Sequence, residues 1–141
     1  MSNGTDLASV YSRRLRELAA KVRVDKRLVP AEMTVTRTSR SCGSSVTLDI
    51  RRDGDTITAL GWRTRACTLG MAATAIVVDQ AQGRRLRDVV EVAERLRLLL
   101  AGADEAIPPP WNDLMVFSAA RDLTARHGSV MLPFEALIHA R

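Results

Sequence analysis

Cys42 and Cys67 are the residues of this 141-residue chain with the most distinctive chemistry, and they are its only cysteines. Between them, apolar and polar residues alternate on both sides of Asp53-Gly54, a dipeptide that is typical of a hairpin turn. The sequence therefore predicts a β-hairpin whose folding brings the two thiols together. With Asp53 and Gly54 as the two turn residues, Cys42 would lie opposite Arg65, and Cys67 would be a diagonal neighbour at roughly 7–8 Å.

Two neighbouring thiolates could serve several kinds of sulfur chemistry. They suit a soft metal, an iron–sulfur cluster, a persulfide or a disulfide. A tetrahedral metal needs four ligands, and two cysteines do not complete that set. Free cysteines are also common as small buried hydrophobic residues, and spacing alone leaves this alternative open.

The predicted surroundings of the thiols favour their ionised forms. Cys67 begins a predicted helix, whose unpaired amides and dipole stabilise a thiolate, so we expect Cys67 to be alkylated faster than Cys42. Gly43 allows the backbone beside Cys42 to approach a ligand closely. Arg65, and Arg126 if it lies nearby, would lower the pKa values of both thiols further.

The elements that must position these residues predict an α+β fold. We expect a small antiparallel three-stranded sheet, an N-terminal helix, and several C-terminal helices packed on one face, in a single domain of residues 1–141. Asp6 is expected to cap the first helix, and Ser129 to cap the last one, with Pro133 in its tolerant first turn. The predicted elements are a helix over 6–22, a strand at 33–36, hairpin strands at 46–50 and 57–62, and helices over 67–82, 86–100, 111–124 and 129–140.

Composition narrows the possible classes of function. The formal net charge is +5, but aromatic residues make up only 4% of the chain and do not alternate with the arginines. A nucleic-acid interface is therefore not expected, and a solvated basic surface that docks an acidic partner fits better. Because no apolar run could cross a membrane and no secretion signal is evident, we expect a cytoplasmic protein without a structural disulfide.

Three segments carry a resemblance to a known family. Ser41-Cys42-Gly43-Ser44 is similar to a Cys-Gly-Asp motif, with Ser44 in place of the aspartate. The segment 62–67, WRTRAC, is similar to an aromatic-Lys-Thr-x-Gly segment followed by a second cysteine. The segment 126–134, RHGSVMLPF, is similar to a last-helix motif, with Ser129 in place of a third cysteine. From about residue 7 to its end, the chain resembles the iron–sulfur cluster scaffolds NifU, IscU and SufU, and the SufU branch most.

The resemblance implies a function in iron–sulfur cluster assembly. Such a scaffold is not an enzyme: it accepts sulfur from a cysteine desulfurase, binds iron, zinc or a transient cluster, and serves acceptor proteins. Cys42 and Cys67 would be the ligands or sulfur acceptors, whereas Ser44 and Ser129 mark degenerate ligand positions. His127 could supply a nitrogen ligand, the alternative being a solvent-facing or hydrogen-bonded histidine. Two other hypotheses remain: a thiol-based sulfur carrier or redox protein without cluster assembly, and a module that keeps only the fold and docks a partner through its arginines.

Overall fold

The structure, a computed structural model, describes the backbone of residues 3–140 and the side chains of residues 9–140. A three-stranded antiparallel sheet in the order β1-β2-β3 is followed by helices, which confirms the predicted α+β class. The elements are α1 (Asn3–Ala20), β1 (Met33–Thr38), β2 (Ser45–Asp53), β3 (Thr56–Arg65), α2 (Thr68–Gln80), α3 (Leu86–Leu100), two 3₁₀ segments (Asn112–Ala120 and Thr124–Arg126) and α4 (His127–His139). No helix within the described residues is both long and apolar enough to span a membrane.

The core lies between one face of the sheet and the C-terminal helices. Val46, Leu48 and Ile50 alternate along β2, and their side chains are buried on this inner face. Helix α4 packs on β1 and β2, while α2 packs between α1 and α4. This position explains why α2 is built from small and apolar residues, since a helix covered on several sides cannot carry a polar face.

The predicted start of α1 is wrong. Helix α1 begins at Asn3, so Asp6 lies within it rather than at its cap, and it ends at Ala20. Leu15 and Leu18 are buried as the helical spacing predicts, but Val10 is 55% exposed. The amphipathic pattern correctly predicted a helix here, but it did not predict the residue at which the helix begins.

The predicted register of the β2–β3 hairpin is also wrong. Asp53 pairs with Thr56, so the two turn residues are Gly54 and Asp55, and a bulge follows Arg51. Gly54 has a φ of +59° and occupies the first of the two turn positions, as type II′ hairpin turns prefer. The turn and the bulge together change which residues of β2 and β3 pair with each other.

This shift changes which residues face each other at the far end of the hairpin. Ser45, not Cys42, lies opposite Arg65. Cys42 lies outside the strand, in the loop that joins β1 to β2. The loop, not the β2–β3 ladder, therefore determines where the first thiol lies.

The C-terminal helix begins earlier than predicted. Helix α4 starts at His127, and its cap is Arg126, so Ser129 is not a cap but a fully buried residue of the first turn. Pro133 consequently lies inside the helix instead of in its first turn. A proline there offers no N–H to the carbonyl of Ser129, four residues earlier.

The segment predicted as a helix over 111–124 is a 3₁₀ helix, Asn112–Ala120.

Candidate functional site

A closed loop between β1 and β2 positions Cys42. The backbone N–H of Ser39 donates to the carbonyl of Ser44 at 2.8 Å, and the N–H of Gly43 donates to the carbonyl of Ser39 at 2.9 Å. Gly43 adopts a φ of +73°, a left-handed conformation that glycine accepts at little cost. These bonds fix the loop, and the Cys42 side chain is left exposed to solvent.

Cys67 is positioned by the start of α2, as predicted. It is the N-cap residue of this helix, with extended backbone angles, and its side chain is half-buried. Its backbone N–H donates to the hydroxyl of Ser44 at 3.1 Å. Ser44 thus connects the loop that carries Cys42 to the helix that Cys67 begins.

Helix α4 brings a third residue to the site, and two glycines allow its close approach. A Cβ on Gly128 would lie 3.0 Å from the Ser39 hydroxyl, and a Cβ on Gly70 would lie 3.3 Å from the Ser129 carbonyl. Without these side chains, α4 can pack directly against the loop and the start of α2. The Ser129 hydroxyl then lies 2.7 Å from the sulfur of Cys42.

The two thiols share a lining of buried hydroxyls. The sulfur of Cys42 lies 3.3 Å from the Ser44 hydroxyl and 3.7 Å from the Ser39 hydroxyl, in addition to its contact with Ser129. The hydroxyls of Ser44 and Ser129 also act on the thiol of Cys67. The structure therefore brings together both cysteines and both serines that the sequence singled out, although the predicted ladder register is wrong.

Hydrogen bonds to its sulfur make Cys42 an acidic thiol. The hydroxyl of Ser129, followed by the hydroxyl and backbone N–H of Ser44, stabilises the thiolate and lowers the pKa of Cys42 from 9.0 to about 6. Desolvation opposes this shift only weakly because the side chain is exposed. Near neutral pH, Cys42 is therefore largely a thiolate, the form of cysteine that acts as a nucleophile.

Opposing effects act on Cys67. Burial raises the pKa of its thiol, but the Gly70 backbone N–H, the Ser129 and Ser44 hydroxyls and the Arg126 guanidinium together lower it below its ordinary value. Cys67 is also less exposed than Cys42. Exposure and hydrogen bonding thus favour Cys42 as the more reactive thiol, the reverse of the order expected from the helix dipole.

The two arginines predicted to support the site have different positions. Arg126 acts on the thiol of Cys67, as expected for one of the two thiols. Arg65 instead directs Nη1 to the carboxylate of Asp25 at 3.2 Å and to the Thr64 carbonyl at 2.6 Å. Arg65 is thus engaged by Asp25 and is not among the leading causes of the pKa shift of either thiol.

His127 is engaged elsewhere. Its Nε2 lies 2.9 Å from the carbonyl oxygen of Ala120 and 3.1 Å from that of Arg121. Because carbonyl oxygens only accept hydrogen bonds, Nε2 carries the proton and donates it. The ring also lines a cavity beside Arg97 and Glu135, to which neither cysteine contributes. The hydrogen-bonded alternative thus describes His127, and the structure does not bring it to the thiols.

The donor set limits how a metal could be held. Within the described residues, no group of three or more histidine, cysteine, aspartate or glutamate side chains could hold a metal ion. Two thiolates provide soft ligands, but neutral serine hydroxyls are poor ones. The buried serines Ser39, Ser44 and Ser129 fit better as hydrogen-bond partners of sulfur than as metal ligands.

Ser39 is the member of the site that the sequence pattern did not reveal. It is 6% exposed and directly follows β1, where its backbone N–H donates to the Ser44 carbonyl. The serine-rich segment SRSCGSS, residues 39–45, was the available signal. Recognising Ser39 required the register of β1 with β2, which the spacing of apolar residues does not contain.

Comparisons with known proteins agree on a family. The model of the NifU-like N terminal domain matches residues 21–102. A NifU-like protein (N-terminal) from Brucella abortus, described as nitrogen-fixing, is 25% identical, with a TM-score of 0.85 over 92% of this chain and 90% of that one. A candidate iron–sulfur cluster assembly scaffold protein for the SUF system, from Fervidobacterium islandicum AW-1, is 19% identical, with a TM-score of 0.81 over 93% and 96% of the two chains. No match was found among curated proteins.

Proposed function

Because this chain belongs to the family of NifU-like N-terminal domains, we propose that it is a scaffold protein of iron–sulfur cluster assembly whose Cys42 accepts sulfur from a cysteine desulfurase. One observation carries the proposal. The Cys42 side chain is exposed, its pKa is lowered to about 6, and its sulfur lies 2.7 Å from the buried hydroxyl of Ser129. A nucleophilic thiolate at the surface is what sulfur transfer between two proteins requires.

The proposed step is a thiolate–persulfide exchange. The Cys42 thiolate attacks the terminal sulfur of a persulfide on the desulfurase. A new S–S bond forms at Cys42 while the S–S bond within the desulfurase persulfide breaks, and the desulfurase cysteine leaves as a thiolate. The terminal sulfur ends as a persulfide on Cys42, and no further oxidant or reductant is consumed.

The chain's own residues would also hold iron, zinc or a cluster as cargo. Cys42 and Cys67 supply two thiolates, and the hydroxyls of Ser44 and Ser129 supply hydrogen bonds to them. Two protein ligands leave a tetrahedral metal two ligands short, so we expect weaker and more transient binding than at a four-ligand site. In this proposal the protein is a carrier in the cytoplasm that passes its cargo to acceptor proteins, and it is not itself an enzyme.

A second candidate function follows from the serines. With neutral hydroxyls at both positions where the resembling family has ligands, the site stabilises a thiolate without needing a metal. The protein could therefore act as a thiol-based sulfur carrier that takes no part in building clusters. The two candidates share the persulfide on Cys42 and differ in whether the protein retains metal.

Sulfur transfer can be tested by mass spectrometry under non-reducing conditions. The reduced protein is incubated with a cysteine desulfurase and free cysteine and is then digested with trypsin, which places Cys42 and Cys67 on the separate peptides 41–51 and 66–84. We expect the mass of one added sulfur atom on peptide 41–51, in the unaltered protein and in Cys67→Ser. The mass should be absent from Cys42→Ser.

One outcome would contradict the proposal, and a second experiment with iron separates the two candidate functions. Sulfur on peptide 66–84 with peptide 41–51 unmodified would contradict the assignment of Cys42 as acceptor. Anaerobic incubation with iron and sulfide, followed by visible absorption and metal analysis, then separates the two candidates. Absorption that requires both Cys42 and Cys67 supports the scaffold, whereas persulfide formation without retained iron supports the carrier.

A further inference from the structure

A polar cavity lies on the face of the sheet opposite the core. Its volume is about 230 Å³. Two cross-strand rows form it: Thr36 pairs with Thr47, which pairs with Arg63, and in the next row Ser45 pairs with Arg65. The strand register thus gathers three hydroxyls and two guanidinium groups from three strands, with no acidic side chain in the lining. We propose that this cavity binds a small oxyanion of the phosphate class.

The positive charge of the cavity is only partly compensated. Within the described part of the chain, the guanidinium of Arg63 forms no ion pair with an acidic side chain. Arg65 directs Nη1 to Asp25, and the same Asp25 oxygen, Oδ1, also accepts a bond from the Thr64 backbone N–H at 3.2 Å. Arg63 therefore contributes an uncompensated positive charge, and Arg65 contributes a positive charge that Asp25 partly compensates.

The nearest buried acid does not compete for these arginines. Asp49 occupies the next row of the same face, but its carboxylate accepts bonds from Arg27, the Leu28 backbone N–H and the Thr34 hydroxyl, at 2.7–2.9 Å. Its charge is therefore balanced within its own cluster. An anion entering the cavity meets arginines that this carboxylate leaves free.

The hydroxyls complete the chemistry of the site. Thr36 and Thr47 lie 2.7 Å apart, hydroxyl to hydroxyl, so one donates to the other and the second keeps its own hydrogen for a ligand. Guanidinium forks and hydroxyl donors match the several acceptor oxygens of a phosphate. Because the donors converge on one small cavity instead of extending along a stripe, a compact oxyanion fits better than an acidic protein segment.

Titration with inorganic phosphate at constant ionic strength tests this proposal. Binding is followed by calorimetry on the full chain, and we expect Arg63→Ala to weaken it about tenfold. Arg87→Ala removes an equal charge from an exposed position on α3 and should leave binding unchanged. Asp25→Asn can still accept the bond from Thr64 but removes the negative charge that compensates Arg65, so it should tighten binding about threefold.

The pattern across the variants decides the outcome. Loss in Arg63→Ala with gain in Asp25→Asn supports the site, because damage to the fold would not tighten binding. Adenosine monophosphate in place of phosphate distinguishes a phosphoryl ester from free phosphate as the source of the oxyanion. The proposal would be overturned by any of three outcomes. Phosphate does not bind, Arg63→Ala and Arg87→Ala weaken binding equally, or a glutamate-rich peptide binds whereas phosphate does not. None of these outcomes depends on the thiols, so sulfur transfer can fail or succeed independently.

Discussion

Replacing Ser129 by alanine is expected to raise the pKa of the Cys42 thiol and to change its reactivity in opposite directions at low and high pH. The Ser129 hydroxyl makes the shortest contact with the Cys42 sulfur, at 2.7 Å, and is the leading cause of its lowered pKa. Ser44 and Ser39 remain in the variant and preserve part of the shift. The substitution therefore isolates one hydrogen bond of the site.

The size of the effect follows from that bond. A hydrogen bond to a charged group contributes about 1.5–3 kcal/mol, which corresponds to about one to two pKa units. Because the Cys42 side chain is exposed, solvent replaces part of the lost bond, and we expect the lower end. The pKa should thus rise by about one unit, from about 6 toward about 7.

The rates should cross as pH rises. Below about pH 6.5 the variant should react more slowly, because less of its thiol is ionised. At higher pH it should react about threefold faster, because a more basic thiolate is intrinsically more nucleophilic. A general loss of access to the sulfur would instead lower the rate at every pH.

The assay measures the rate of reaction with an aromatic disulfide from pH 5 to 9. Both proteins carry Cys67→Ser, so that Cys42 is the one reacting thiol. Ser118→Ala, a serine-to-alanine change in the 3₁₀ segment Asn112–Ala120, serves as the matched control and should leave the midpoint unchanged. If the midpoint of the pH–rate profile also stays unchanged in Ser129→Ala, the Ser129 hydroxyl does not stabilise the thiolate, and hydrogen bonding from α4 is not the cause of the low pKa of Cys42.

Three further predictions concern packing, a buried charge and metal affinity. Gly61→Ala should destabilise the protein by about 3 kcal/mol in urea unfolding, because its Cβ would lie 2.5 Å from the Leu28 backbone nitrogen; a loss below about 1 kcal/mol would show that this segment moves aside easily. Asp49→Asn should lower the free energy of unfolding by about 2 kcal/mol at pH 7. The pKa of the Asp49 carboxyl is depressed in the folded state, so this stability exists above the ordinary value of 3.8 and is lost as pH falls below it. A difference in stability between the two proteins that stays constant from pH 7 to pH 2 would show that the charge of Asp49 is not its cause. Ser44→Asp with Ser129→Cys should raise zinc affinity at least about a hundredfold in chelator competition, and an unchanged affinity would show that these positions do not face the metal.

The sequence was sufficient where structure is local. Alternation of apolar residues identified β2 and β3, and the small residues after Cys67 identified α2, because each pattern repeats within one element. The turn was harder, since Asp53-Gly54 and Gly54-Asp55 are both favourable two-residue turns. The bulge after Arg51 then shifted the ladder again, and a bulge leaves no local signature in the apolar pattern.

The position of Ser129 shows why the rest could not be predicted. A serine near the start of a helix is most simply a cap, and the sequence offered no reason to place it otherwise. Its partner, Cys42, lies 87 residues earlier in the chain. Only the packing of α4 against the β1–β2 loop, which Gly128 permits, decides that the hydroxyl faces sulfur and not a backbone amide.

In the proposed function, Ser44 and Ser129 stand where the resembling family has ligands, and this changes the electrostatics of the site as well as its donor count. An aspartate or a third thiolate beside Cys42 would repel its negative charge and raise its pKa unless a cation were present. Ser44 and Ser129 carry no charge and their hydroxyls lower the pKa of Cys42 instead, so its thiolate is stable in the metal-free protein. In the proposed function, the same serines that weaken a metal site therefore favour a nucleophilic Cys42, and sulfur acceptance is the step for which the site is best suited.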